Sequence, residues 1–199
     1  MLGAVTVSNA QEDASNKDSM AISFGVKGGV NFATVNGAEN PDSRTSFHVG
    51  ALAEFPIADI FSLQVEALYS GQGFELRTPG DILNPDGDKA EYQLDYINVP
   101  VLAKVYLFEG FSIEAGPQFS FLVNEEVDTE PNAGSGDTDT DFAETFEFGV
   151  AGGVTFQTSM GLFATARYNQ GITNISKDDS EGSDKITNSV FQIGIGYKF

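Results

Sequence analysis

The chain has 199 residues with no cysteine and no tryptophan, so neither a disulfide framework nor a cysteine zinc site holds it together. Lys and Arg number 10 against 29 Asp and Glu, a formal charge of −19, which excludes a nucleic-acid binder that works by neutralising phosphates. No run of about 18 apolar residues occurs, so no membrane-spanning helix is expected; a β-barrel escapes that test because its strands alternate.

The N-terminal stretch MLGAVTVSNAQED is an apolar stub followed by small residues and then acids. It reads as the tail of a secretory signal with cleavage after Ala10 or Gln11, and it predicts export. Residues 1–20 are set apart from the fold as a residual signal tail, and 21–199 is read as one domain.

From residue 21 onward one unit recurs, an alternating stretch followed by a break, and no segment carries helical periodicity. Eight stretches follow in chain order: 21–34, 44–55, 61–75, 91–108, 111–124, 143–157, 162–174 and 187–199. The breaks after the second, fourth and sixth are short: Pro56 to Asp59, Glu109-Gly110, and Thr158 to Gly161. Those after the first, third, fifth and seventh are expected to be long and polar, such as PGDILNPDGDKAE (79–91) and EVDTEPNAGSGDTDTDF (126–142). This spacing predicts an all-β fold, an eight-stranded antiparallel up-and-down transmembrane β-barrel with both termini at the short-turn end. Asp95 interrupts the apolar parity of the fourth stretch and predicts either a loop-end position or a bulge.

One parity of the strands is apolar without a charge, as in Phe47, Val49, Ala51, Ala53 and Phe55, or Ile97, Val99, Val101, Ala103 and Val105. Its aromatics gather at two levels: Phe55, Phe61, Phe111, Phe156 and Tyr197 near the tight turns, and Phe32, Phe47, Tyr69, Phe121 and Tyr168 toward the long breaks. Two aromatic belts around an aliphatic band mark a lipid-facing surface. The other parity then lines the lumen, with Lys27, Lys104, Arg167 and Lys198 against Glu54, Glu66, Glu114 and Glu147. Eight strands leave an interior that side chains nearly fill, and a buried charge needs a partner. A charged network plugging the lumen is therefore expected, with Glu66, Lys104 and Glu114 as a cross-strand triad on consecutive strands. The competing reading, a soluble lipocalin-like carrier, would turn the apolar parity inward around a ligand. A third reading is a narrow pore or transporter for small solutes.

Other candidates for chemistry are weak. His48, the single histidine, falls on the lumen parity without an evident Ser or acid partner, and no enzyme is predicted. Asp137, Asp139 and Asp141 alternate as calcium ligands can, but Phe142 stands where a calcium loop wants Gly, so a solvated acidic loop is expected and no metal or cofactor is implied. The GVKGG and GVAGG glycines precede no helix and fit no phosphate loop. Tyr197 and Phe199 close the last alternating strand with an aromatic, the kind of ending that outer-membrane assembly machinery recognises.

The stretches VKGGVNFA (26–33), LDYINVPVLAKVYL (94–107), FSIEAGPQFSFLV (111–123) and IGIGYKF (193–199) resemble the small outer-membrane β-barrel family common in Bacteroidota, called PorT-like or porin-family proteins. The resemblance spans about residues 21–199. It implies an integral barrel of the bacterial outer membrane, in a family mostly of unassigned molecular function; the expected partners are outer-membrane lipid, lipopolysaccharide and the barrel-assembly machinery. The expected role is structural or surface-interacting, toward an extracellular partner.

Overall fold

The computed structural model describes residues 21–37, 41–77, 89–128, 137–139, 143–175 and 185–199. Alternation becomes extended backbone throughout: β1 (Ser23–Asn36), β2 (Pro41–Ala58), β3 (Phe61–Arg77), β4 (Lys89–Phe108), β5 (Phe111–Asp128), β6 (Asp137–Asp139), β7 (Phe146–Gln157), β8 (Leu162–Gly171) and β9 (Thr187–Lys198). Neighbours pair antiparallel in the order β4-β3-β2-β1-β9-β8-β7-β5, and β4 also pairs with β5, so eight strands close on themselves. The three-residue β6 adds to the loop end of β5 outside this ring. Closure leaves no unpaired edge, the condition for a sheet to stand in hydrocarbon.

The connections at one end are tight. Asp59-Ile60 links β2 to β3, Glu109-Gly110 links β4 to β5, and residues 158–161 link β7 to β8. Gly110 and Gly161 hold φ of +78° and +90°, and a Cβ at either would stand 2.3 Å from a neighbouring carbonyl oxygen, so these turns require glycine. Both ends of the barrel sequence lie here too: Ser23 faces Glu54, Lys198 faces Gly25, and the Phe199 amide donates to the Phe24 carbonyl at 2.9 Å.

At the other end the strands run further than the alternation suggests. β1 continues to Asn36 and β2 begins at Pro41, so the first of the breaks expected to be long is only residues 37–40. Backbone pairing needs no apolar side chain, and the ladder continues past the lipid band where outward residues are already polar. The irregularity expected at Asp95 is a bulge in the β4–β5 ladder: Asp95 faces Asn124 while Tyr96 faces Leu122.

The apolar parity faces outward, with Phe24, Val26, Phe47, Val49, Val150, Phe156, Ile193 and Tyr197 about half exposed to the surroundings. The carrier reading, which needs that face turned inward, is overturned by this parity. Inside, the polar side chains share the lumen with Leu52, Leu68, Leu102 and Phe163. Toward the loops Val35, Phe74, Leu94, Tyr96, Ala143 and Ile175 pack together as an apolar cap.

Candidate functional site

The lumen is the densest concentration of chemistry in the fold. Inward parity places it there: successive inward positions on every strand bring charged side chains to one axis, while the lipid-facing neighbours hold the strands in the membrane. It divides into layers.

Nearest the tight turns stands Glu54. Its carboxylate receives the Ser62 hydroxyl at 2.6 Å, the Lys104 ammonium at 3.1 Å, the Lys198 ammonium and the Tyr106 hydroxyl. Lys104 also donates to Gln64 Oε1 at 3.1 Å, and Lys198 to Gln157 Oε1 at 2.9 Å. A cleft of about 230 Å3 bounded by Glu54, Ser62, Tyr106 and Lys198 opens at this end.

The next layer is built on Arg167, which is 1% exposed. Its guanidinium binds Glu66 through two parallel bonds of 2.7 Å, Nη1 to Oε2 and Nη2 to Oε1. Nε and Nη2 reach Glu114 Oε1 at 2.9 and 2.6 Å. Lys27 donates to Glu66 at 3.0 Å, and Thr155 to Glu114 at 3.1 Å. Such bidentate, charge-assisted contacts are the strong class of hydrogen bond. Around Gln64, Glu66, Lys104, Thr165 and Arg167 the side chains leave no volume for a water molecule.

Above it lies an amide layer. Asn31 Oδ1 accepts from His48 Nδ1 at 2.7 Å and from Gln192 Nε2 at 2.9 Å, while its Nδ2 donates to Ser70 Oγ and to the Gly71 carbonyl. His48 is buried in this network with Asn31 as its bonded side chain.

The structure brings together seven of the eight charged lumen residues singled out from the sequence: Lys27, Glu54, Glu66, Lys104, Glu114, Arg167 and Lys198. Two details differ. The expected triad of Glu66, Lys104 and Glu114 does not form, because Lys104 turns to Glu54 while Arg167 takes both Glu66 and Glu114. Distance from the nearest tight turn is the wrong measure in a staggered barrel: Lys104 faces Ser62, four residues along β3 from Glu66. The eighth residue, Glu147, stands apart from the ion pairs near the loop end, accepting from Asn188 Nδ2 at 2.6 Å. The four-against-four balance is therefore four cations with three carboxylates, and a carboxyl on its own.

Gln64, Tyr106, Asn31 and Gln192 carry much of the network and were not among the singled-out charges. Inward parity is the signal they share. Tyr197 and Phe199 lie at the turn end and point outward. For Asp137 and Asp139 the backbone forms β6, whereas their side chains and the whole of Asp141 lie outside the described residues, as does the 1–20 segment. No group of three metal-ligating side chains occurs among the described residues.

Residues 9–177 match the model of the outer membrane protein beta-barrel domain. The chain belongs to that family. No curated protein sequence matches it. Among solved structures it is similar to Neisserial surface protein A, with a TM-score of 0.59 and 16% identity over 90% of this chain and 99% of that one. It is also similar to Ail, the attachment invasion locus protein of Yersinia pestis, with a TM-score of 0.50 and 11% identity over 89% of this chain and 98% of Ail. Ail in complex with the heparin analogue sucrose octasulfate gives a TM-score of 0.50 and 11% identity over 90% and 100%. At these identities the likeness is one of fold. The protein is thus an integral β-barrel of the bacterial outer membrane with a charged network filling its lumen.

Proposed function

We propose that this barrel is a surface-interaction or structural protein whose working parts are its loops, and that its lumen is a plug rather than a path. The observation that carries this reading is the Arg167 layer, where four charged side chains satisfy one another with no room for water between them. A conducting pore needs a continuous polar passage, and the apolar cap around Tyr96 and Leu94 adds a second obstruction toward the loops.

Charge distribution supports the loops as the interacting part. The stretches 38–44, 75–95, 124–144 and 174–186 hold 20 Asp and Glu against 5 Lys and Arg, whereas the tight turns hold only Asp59 and Glu109. With the tight turns in the periplasm, the acidic face meets the exterior, where it repels anions and attracts cationic partners or divalent ions bridging lipopolysaccharide. Ail, named for attachment and invasion, uses the same fold. The signal-like tail within residues 1–20 serves export, and Tyr197 with Phe199 serves recognition by the barrel-assembly machinery. The resemblance of the VPVLAK and GPQ strands supports reading it as a PorT-like protein of Bacteroidota.

Reconstitution into planar bilayers tests the reading. Current at baseline is expected across a wide voltage range. Stepwise conductance whose ion selectivity changes on replacing Lys104 or Glu66 would establish the narrow pore instead.

A further inference from the structure

The lipid-facing wall is not evenly covered. Across β5, β7 and β8 runs a groove of about 570 Å3, lined on the outward face by Ala115, Pro117, Val150, Gly152, Tyr168 and Gln170. The register explains it: one outward row runs Ala115, Gly152, Tyr168 and the next Pro117, Val150, Gln170, so both begin on small or compact residues. The rows on either side stand taller, Phe119 against Phe148 toward the loops and Ile113 against Val154 toward the turns. The wall itself does not require glycine at 152. A Cβ there would meet nothing nearer than the Glu114 carbonyl oxygen at 3.9 Å, whereas at the inward Gly153 it would stand 2.5 Å from the Ala166 carbonyl oxygen. A side chain on residue 152 would fill the groove, and none is there.

The groove climbs. Strands tilt in a barrel, so rows that cross them rise around the wall. Pro117 lies in the turn-side half of β5, while Gln170 is the last residue but one at the loop end of β8. At that upper end the groove reaches a polar cluster without charge. Gln170 Oε1 accepts from the Ser189 hydroxyl at 2.8 Å and the Tyr168 hydroxyl at 3.2 Å, and Asn36 Nδ2 donates to Ser189 Oγ at 2.7 Å. These bonds hold the cluster in place while Tyr168 and Asn36 stay exposed on the outer face. An occupant that matches the groove is apolar along most of its length and polar at the loop end. Hydrocarbon is the medium of this face, so the occupant comes from the bilayer, with the polarity of a lipid standing in the loop-side leaflet. A second copy of the barrel would meet the groove with a convex wall.

We infer that this groove holds one acyl chain of an outer-leaflet glycolipid, lipopolysaccharide, with the link between chain and sugar at the Gln170 cluster. The chemistry of the cluster selects the class. Amides and hydroxyls exchange hydrogen bonds with ester or amide links and with sugar hydroxyls, and the four residues Asn36, Tyr168, Gln170 and Ser189 include no Lys or Arg to favour a phosphate. The apolar lining contributes burial without direction, and the cluster sets which end of the lipid lies uppermost. The choice of leaflet rests on the orientation given under the proposed function, with the tight turns in the periplasm.

The test is native mass spectrometry of the full-length barrel refolded in detergent, titrated with purified lipopolysaccharide lacking its O-chain or with dipalmitoyl phosphatidylethanolamine. The wild type should retain one lipopolysaccharide per barrel, saturably and in preference to the phospholipid. G152L sets a branched side chain in the groove and should weaken that binding about tenfold or more. G28L makes the same change on the lipid-facing side of β1, where a Cβ also has room, its nearest neighbour being the His48 carbonyl oxygen at 3.4 Å, and should bind as the wild type does. Q170A should lose less than G152L. Gel mobility with and without boiling shows that each variant is a closed barrel, and A115L takes the place of G152L should that variant not close. Undiminished binding in G152L, or an equal loss in G28L, would overturn the groove as the site. Absence of a lipopolysaccharide adduct, or phosphatidylethanolamine held as tightly, would overturn the glycolipid assignment. A barrel dimer that G152L abolishes would give the groove to a second copy and overturn the inference as well. The bilayer current described above tests the plug separately, so the two readings fail independently.

Discussion

Toward the tight turns the lumen carries four cations and three carboxylates knotted into direct bonds; toward the loops it carries one carboxyl, an imidazole, a tyrosine and a set of amides with free atoms. Both halves are enclosed by the same kind of wall. In the first, every charge has been matched by an opposite one from a distant part of the chain, as Arg167 meets Glu66 across 101 residues. In the second, Gly149 and Gly171 face each other without side chains, and most of the described buried polar atoms without partners lie there, Ser112 and Thr165 being those on the turn side. The turn-side half behaves as a finished core, stabilising the closed ring. The loop-side half is bonded more sparsely.

That contrast can be broken from its strong side first. Arg167→Ala would leave Glu66 and Glu114 facing each other without the guanidinium between them, and should lower unfolding free energy by about 3–5 kcal/mol. Equilibrium unfolding in urea of the refolded barrel measures it. Glu54→Ala strands the ammonium groups of Lys104 and Lys198, but the cleft beside them admits water, so a loss of about 2–3 kcal/mol is expected in the same assay. On the loop side, Gly171→Ala pushes a methyl into Glu147 and toward the Asn188 backbone amide, 3.1 Å away, and should cost about 1–3 kcal/mol. The smallest effect belongs to Glu147→Gln, since no cationic side chain among the described residues pairs with Glu147. Its unfolding free energy should stay within about 1 kcal/mol of the wild type in the same urea assay. A loss as large as that of Arg167→Ala would erase the difference between the halves.

Much of the barrel was legible because lipid imposes a rule that each residue obeys singly. Phe47, Val49, Ala51, Ala53 and Phe55 declare their side by their own apolarity, and Glu109-Gly110 declares its turn. The strand ends toward the loops were not legible, since residues such as Asn36, Asp42 and Ser43 join the ladder by backbone pairing and carry no apolar mark. Within the lumen, which charges point inward followed from parity. Which of them meet did not, because partners are fixed by stagger around the ring: Lys104 and Glu66 look equivalent when counted from their turns, yet Lys104 lies at the level of Ser62. Glu147 illustrates the same limit, since nothing in its strand says that Gly149 and Gly171 will face each other beside it.

The central claim is that the turn-side charges act as one coupled unit from which Glu147 is separate. A double-mutant cycle in urea unfolding tests it directly, combining Glu66→Gln with Arg167→Met and, as the control, Glu147→Gln with Arg167→Met. A coupling of about 1.5–3 kcal/mol is predicted for the first pair and one within about 0.5 kcal/mol of zero for the second. Additive effects for Glu66 and Arg167, or a coupling of Glu147 to Arg167 of similar size, would contradict the account.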